Sequence, residues 1–219
     1  MSEWPDTQSL PAHLKLLLRQ TSVQLIAAFF VASLVIRLLV GRWSARDLIG
    51  PLIVFAAEPI TEWVIHVFVL HWRPKTVRGR VLDPAVSSKH RAHHAEPRDL
   101  ELVLVPIRFL VKGLTAAGAI ALGFAIALDR PTIITALVAG YFMLLVYEWT
   151  HFLIHSKYRP RHAYYRLIWR HHRNHHFRNE HYWFGVTIDL GDRLLRTAPE
   201  RDTVPVSPTA KTLQAGLVD

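Results

Sequence analysis

Residues 21–40 read TSVQLIAAFFVASLVIRLLV, a run whose only charge is Arg37. A helix rises about 1.5 Å per residue, so about 20 such residues cross the hydrocarbon core of a bilayer. Three more stretches have the same character. Leu48–Leu70 carries only Glu58 and Glu62; Leu102–Leu128 carries Arg108 and Lys112 near its start; the run from Pro131 continues through Tyr147 and Trp149 to Ile154. A soluble helical protein would need polar faces at helical spacing, and neither Leu52–Ala57 nor Thr115–Leu128 offers one. The expected fold is therefore all-α and integral to a membrane, with four transmembrane helices. A hydrophobic fraction of 51% and a mean hydropathy of +0.18 agree with it.

The links between these stretches are unequal. Gly41–Asp47 and Asp129–Pro131 are short, whereas His71–Glu101 and everything after Ile154 are long and polar. Arg73, Lys75, Arg78, Arg80, Lys89, Arg91 and Arg98 lie in the first long segment, and ten more Lys or Arg lie between Ser156 and Arg201. The two short links together hold Arg42, Arg46 and Arg130. The positive-inside rule then places both long segments, and both termini with them, in the cytosol. The net charge of +9 is accounted for by orientation and attraction to lipid headgroups, and no nucleic-acid partner is expected.

The chain divides into an interfacial, cytosolic segment (1–20), a membrane domain (21–200) and a flexible C-terminal tail (201–219). Ser9–Arg19 alternates Leu10, Leu14, Leu17 and Leu18 with His13, Lys15 and Arg19, as a short helix lying on a membrane surface would. The first 20 residues lack the basic-then-apolar order of a cleavable signal. The tail carries Pro205 and Pro208 without periodicity, and no segment reads as a sheet.

Composition holds one excess and one absence: 14 histidines and no cysteine. Without thiols there are no disulfides, thiolate-bound metals, iron–sulfur clusters or cysteine nucleophiles. The histidines are grouped. His66 and His71 end the second span, and His151 and His155 end the fourth. His90, His93 and His94 form HxxHH, and His172, His175 and His176 repeat it, with His171 before them and His181 after; His13 and His162 stand apart. Residues three or four apart share a helical face, so each box presents its rings together. His66 and His71 are five apart and converge only if they straddle a site or the helix end is distorted.

With hairpin-connected spans, all these groups lie on one side of the membrane. Two triples and two pairs supply ten imidazoles, too many for one metal ion and suited to two. An all-imidazole set suits Fe, Zn, Cu or Ni rather than Mg or Ca. Redox chemistry on an inert lipid points to two iron ions, although zinc could occupy the sites on purification. A histidine-rich metal-binding or transport protein is the non-enzymatic alternative; a transporter would place its ligands near the bilayer midplane.

Acidic residues accompany the boxes. Glu58, Glu62 and His66 form one stripe, and Glu148 shares a face with His151 and His155. Glu62 and Glu148 are expected to accept the free ring N–H of ligating histidines. Asp189 and Asp192 are read as capping or turning the chain after Gly185.

These segments carry a family resemblance. Glu62–Trp–Val–Ile–His66–x4–His71 and His90–Arg–Ala–His93–His94–Ala–Glu–Pro97–Arg–Asp99 resemble the first half of the fatty acid hydroxylase/sterol desaturase superfamily. Tyr147–Glu148–Trp–Thr150–His151–x3–His155, His171–His172–Arg–Asn–His175–His176–Phe177 and Phe184–Gly185–Val186–Thr187 resemble its second half, with the fatty acid 2-hydroxylase branch most similar. The resemblance implies a cytosolic helical cap over four transmembrane helices, holding a dimetal centre. Its ligands would be His66, His71, His90, His93, His94, His151, His155, His172, His175 and His176, with His171 beside them. Val67, Glu148, Leu102, His181 and Tyr182–Trp183 depart from the branch's usual pattern.

The implied activity is hydroxylation of a fatty acyl lipid, at C2, using O2. No cytochrome b5-like domain is expected within this sequence, so electrons would come from a separate cytochrome b5-like or ferredoxin-type donor. A centre at the cytosolic ends of the spans favours carbons near the lipid's polar head. The alternatives on the same scaffold are carotenoid or sterol hydroxylation and desaturation.

Overall fold

A computed structural model describes residues 4–127 and 129–213 of the chain. Nine α-helices and one β-hairpin are described, and the residues fall into two compact units: residues 14–58 with 105–149, and residues 4–13, 59–104 and 150–213. Four helical stretches are long and apolar enough to cross a membrane: Thr21–Val40, Ala45–Leu70, Leu100–Ala121 and Arg130–His155.

The first unit is built mainly from α2 (Thr21–Val40), α6 (Ile107–Ala127), most of α3 (Ile49–Val64) and most of α7 (Arg130–His155). Ile26, Leu110, Leu114 and Tyr141 form its buried centre. Large apolar side chains such as Leu38, Leu39, Leu52, Ile53, Ile120 and Phe124 point outward, a surface suited to acyl chains rather than water. Gly50 lets α3 and α7 close together, since a Cβ there would stand 2.8 Å from that of Ala136. The lone charge of the first span is paired. Arg37 binds Asp47 at 2.8 Å, donates to Thr135 Oγ1 at 2.7 Å and to the Gly41 carbonyl at 2.5 Å, and lies over the Trp43 ring. An unpaired charge at such depth would cost several kcal/mol, roughly 3–5 on losing one partner.

The third span departs from the expected single stretch beginning at Leu102. A short helix, α5 (Leu100–Val103), ends before Pro106, and α6 begins at Ile107. Proline lacks the N–H that would continue the ladder and disfavours helix in the residue before it. Leu128, the expected end of that span, lies outside the described residues.

The second unit corrects the expectation of a chain without sheet. β1 (Lys75–Val77) and β2 (Arg80–Leu82) pair antiparallel, Val77 opposite Arg80. The two-residue connection has Arg78 at φ 51° and Gly79 at φ 75°, the double left-handed turn that matches strand twist. The unit also holds α4 (Ala85–Ala95), α5, α8 (Ala163–Phe177), α9 (Leu190–Leu194) and the first half of α1 (Leu10–Leu17), which continues into the first unit. In α1, Leu10 and Leu14 are exposed, as is Leu18 just beyond it, whereas Leu17 is buried and His13 is buried against Phe152 and Tyr158 instead of facing out with Lys15. The C-terminal tail is not loose through residue 213: Val204, Ala210 and Leu213 are buried, and only 214–219 lie outside the described residues.

Candidate metal centre

Each histidine-bearing element has a local reason for its shape. Between Ile65 and Leu70 the second span widens into a π-helical turn, and the His71 N–H donates to the His66 carbonyl, five residues back, at 3.0 Å. That widening brings a five-residue spacing onto one face, where an α-helix would have set the two rings far apart around its axis. Ser87 Oγ on α4 donates to the Val69 carbonyl that the widened turn exposes, and Arg91 reaches from α4 to the Trp72 carbonyl and to Asp83. The first HxxHH is thus docked onto the end of the second span. The second HxxHH lies in the last turns of α8.

The ten histidines gather into two groups of five. His66, His71, His90, His94 and His175 form one; His93, His151, His155, His172 and His176 form the other, and within each group one nitrogen from each ring lies within 4.8 Å of those of the others. Each box is divided. On α4 the i,i+4 pair His90 and His94 joins the first group and His93 the second; on α8 the i,i+4 pair His172 and His176 joins the second and His175 the first. Positions +3 and +4 differ by about 100° around a helix, so one box can serve two neighbouring points. Each group therefore takes one span-end pair, one i,i+4 pair and one ring from the opposite box. The His94 and His176 rings stack at 4.1 Å where the groups meet.

Backbone carbonyls orient several rings. His66 Nδ1 lies 2.6 Å from the Phe184 carbonyl, His175 Nδ1 2.8 Å from that of Tyr182, and His94 Nδ1 2.8 Å from that of Ala210. A carbonyl only accepts, so each Nδ1 carries the proton and each Nε2 presents a bare lone pair. The Pro97 carbonyl bonds His155. Tyr182 and Phe184 flank Trp183, a buried residue in the left-handed region (φ 58°) held by N–H bonds to the Thr197 and Pro199 carbonyls. Phe184 packs its ring against His66, His71 and His175 at 5.3–5.6 Å.

The residues fit a cation in each group. His175 Nε2 approaches His71 Nε2 at 3.2 Å, and His172 Nε2 approaches those of both His155 and His176 at 3.0 Å. Nitrogens bound to one ion at 2.0–2.1 Å are separated by about 2.9–3.4 Å, from octahedral to tetrahedral angles. The buried Nε2 atoms of His66, His90 and His94 have no hydrogen-bond partner. The rings are also held neutral, as ligands must be. Burial pushes His94 down to about 3, and burial with neighbouring imidazoles holds His71, His90, His93, His172, His175 and His176 well below the usual range.

Glu62, Asp192 and Glu148 each accept backbone N–H groups. Glu62 accepts from the Val186 N–H at 2.6 Å, the Thr187 N–H at 3.1 Å and the Thr187 hydroxyl, so it fixes the loop whose Phe184 carbonyl holds His66. Asp192 accepts from the Phe184 and Gly185 N–H groups at 3.0 and 2.7 Å and from Thr197 Oγ1, while burial raises its pKa. Asp189 precedes α9 and pairs with Arg193. Glu148 is buried and accepts the Val105 N–H at 3.0 Å. His171 is half-buried and belongs to neither group; His181 is exposed beside buried Glu180. Sequence reasoning missed the carbonyls of Tyr182, Phe184 and Ala210, because a backbone acceptor leaves no mark in residue type.

The arrangement coincides with a family match. The sequence fits the model of the fatty acid hydroxylase family over residues 51–197, and the chain belongs to that family. Among individual proteins, it is 31% identical over 143 residues to dihydroceramide fatty acyl 2-hydroxylase FAH1 of Arabidopsis thaliana, covering 63% of this chain and 55% of that protein. It is 27% identical over 154 residues to FAH2 of the same plant, covering 69% and 62%. The matched region thus spans between half and two thirds of these relatives. The hydroxylase domain of full-length Scs7p has the same fold, with a TM-score of 0.67 at 22% identity over 89% of this chain and 72% of that one.

Proposed function

We propose that this chain is a membrane non-haem diiron oxygenase that hydroxylates a fatty acyl lipid at C2, drawing on O2 and electrons from a separate donor. The observation that carries the reading is the pair of converging five-histidine groups, in the first of which carbonyls hold the protons of His66, His94 and His175 on Nδ1. The ligands would be those ten histidines, and two iron ions held there would supply the activation of O2 and the oxidation of an unactivated C–H bond.

The chain's own residues do the rest. Backbone carbonyls keep the proton on Nδ1 of His66, His94 and His175, so Nε2 is free to bind. Phe184, 5% exposed, covers one side of the first group by packing on His66, His71 and His175. Glu62 and Asp192 hold the loop that carries it. The acyl substrate, and its C2 position, are supported by the two plant relatives, which are named dihydroceramide fatty acyl 2-hydroxylases. The density of Lys and Arg in the two long segments supports a cytosolic centre and termini, with a cytochrome b5-like or ferredoxin-type donor. Arg173, stacked over Trp169 and Phe177 beside Arg98 and Arg159, gives an acidic donor a basic face.

Expression in a host lacking 2-hydroxylated lipids, followed by lipid mass spectrometry, tests the reading. An acyl product with one added oxygen and fragments diagnostic for C2 is expected. A product that has lost two hydrogens identifies a desaturase instead. Metal transfer across vesicles by the reconstituted protein, with no acyl product under O2 and reductant, rejects the enzyme reading.

A further inference from the structure

The C-terminal segment lies beyond the family match, which ends at residue 197, yet it reaches the centre of the site. We propose that residues 204–213 are a positioning element of the metal centre, fixing the His94 ring through the carbonyl of Ala210. This inference rests on the reading of the histidine groups as metal sites.

Ala210 and His94 are both buried, and His94 is fully so. The 2.8 Å contact at Nδ1 fixes the proton there and leaves a buried Nε2 without a hydrogen-bond partner, directed at its group. His94 is also the ring stacked on His176 of the other group, yet its Nε2 serves only its own.

The segment is anchored to the three residues that follow α8. Arg178 Nε donates to the Val204 carbonyl at 2.7 Å, Asn179 Nδ2 donates to that of Pro205 at 3.2 Å, and the Ser207 N–H donates back to the Arg178 carbonyl at 2.7 Å. Thr209 Oγ1 donates to Glu180, which is 2% exposed. Val204 and Leu213 bury their side chains at the two ends. The segment therefore ties the end of α8, just past His175 and His176, to the end of α4 at His94. The loop at 182–184 supplies the Nδ1 acceptors of His175 and His66 from within the family match; the C-terminal segment supplies that of His94 from outside it.

The test replaces residues 204–213 in the full chain with a Gly/Ser stretch of equal length, with Thr209→Val as the milder variant. In the zinc-loaded protein, release of one ion to a chelator should accelerate roughly tenfold to a hundredfold, the range typical of lost ligand-orienting partners. The other ion should leave at its original rate. His94→Ala, which removes the ring itself, should release the same ion at least as fast, and combining it with the replacement should add nothing further. In nitrogen-15 histidine spectra one hydrogen-bonded Nδ1–H signal should vanish on replacement, with or without metal, and weaken in Thr209→Val. Additive effects with His94→Ala, equal acceleration of both ions, or an unchanged set of Nδ1–H signals would overturn the proposal. Failure of the unaltered chain to hold two ions would instead count against the diiron reading, and the Nδ1–H signal would still decide the role of the segment.

Discussion

The backbone N–H of His71 donates to the carbonyl of His66 at 3.0 Å, and both rings enter the same group of five. One widened turn converts a spacing foreign to an α-helical face into a pair of converging imidazoles. Because each group has its own span-end pair, the two can be emptied separately. His66→Ala or His71→Ala should lower metal content from two ions to about one per chain, and His151→Ala should remove the other. Elemental analysis of purified variants, with helicity checked by circular dichroism, decides; loss of both ions from each variant would show that the groups do not act separately.

Glu62 works through the loop it anchors. Glu62→Gln keeps the side-chain shape and one oxygen for the Val186 and Thr187 N–H groups, but puts an NH2 where the second oxygen receives the Thr187 hydroxyl and N–H. An unsatisfied buried donor costs about 1–3 kcal/mol, so the melting temperature should fall. The displaced Phe184 carbonyl should also free the His66 ring and speed metal release from the first group only. Equal release from both groups would mean that Glu62 supports the unit as a whole.

Two glycines are fixed by contact rather than by backbone angle. A Cβ on Gly185 would meet the Ile188 carbonyl, and one on Gly191 would meet the Pro59 carbonyl within the second span. Backbone cannot swing aside as a side-chain tip can, so Gly185→Ala and Gly191→Ala should each cost about 1–3 kcal/mol. Thermal unfolding in detergent provides the measurement. Gly113→Ala, where nothing stands within 4 Å of the added carbon, should be neutral or slightly stabilising.

Acid should destabilise the metal-free protein. His94 falls to about 3 from an ordinary 6.5, and His71, His90, His93, His172, His175 and His176 are also lowered, chiefly by burial. Above the unfolded value both states are neutral and the full stability is present. Below it the unfolded chain takes up protons that the folded chain refuses, so stability falls with pH down to the folded values. Each such proton contributes about 1.4 kcal/mol per pH unit. The melting temperature of the chelated protein should therefore drop steeply between about pH 7 and about pH 5. A flat profile would mean that these rings are protonated in the folded chain as readily as in the unfolded one.

Much of this was present in residue order. Thr21–Val40 and the other apolar runs could only be helices of membrane-crossing length, because a backbone in hydrocarbon must satisfy its own hydrogen bonds. The His90 and His172 boxes marked the helices that carry rings, and the five-residue gap between His66 and His71 left two options, a straddled site or a distorted helix end, of which the structure has the second. The division of each box between two groups, the role of Glu62 as an anchor for Val186 and Thr187, the hairpin at Lys75–Leu82 and the packing of the tail against His94 came only from tertiary structure. The physical reason is the same in each case. Spacing along a chain fixes which side chains share a helical face, but a backbone carbonyl is present at every residue. Whether Ala210 meets His94 is decided by how segments 116 residues apart are brought together.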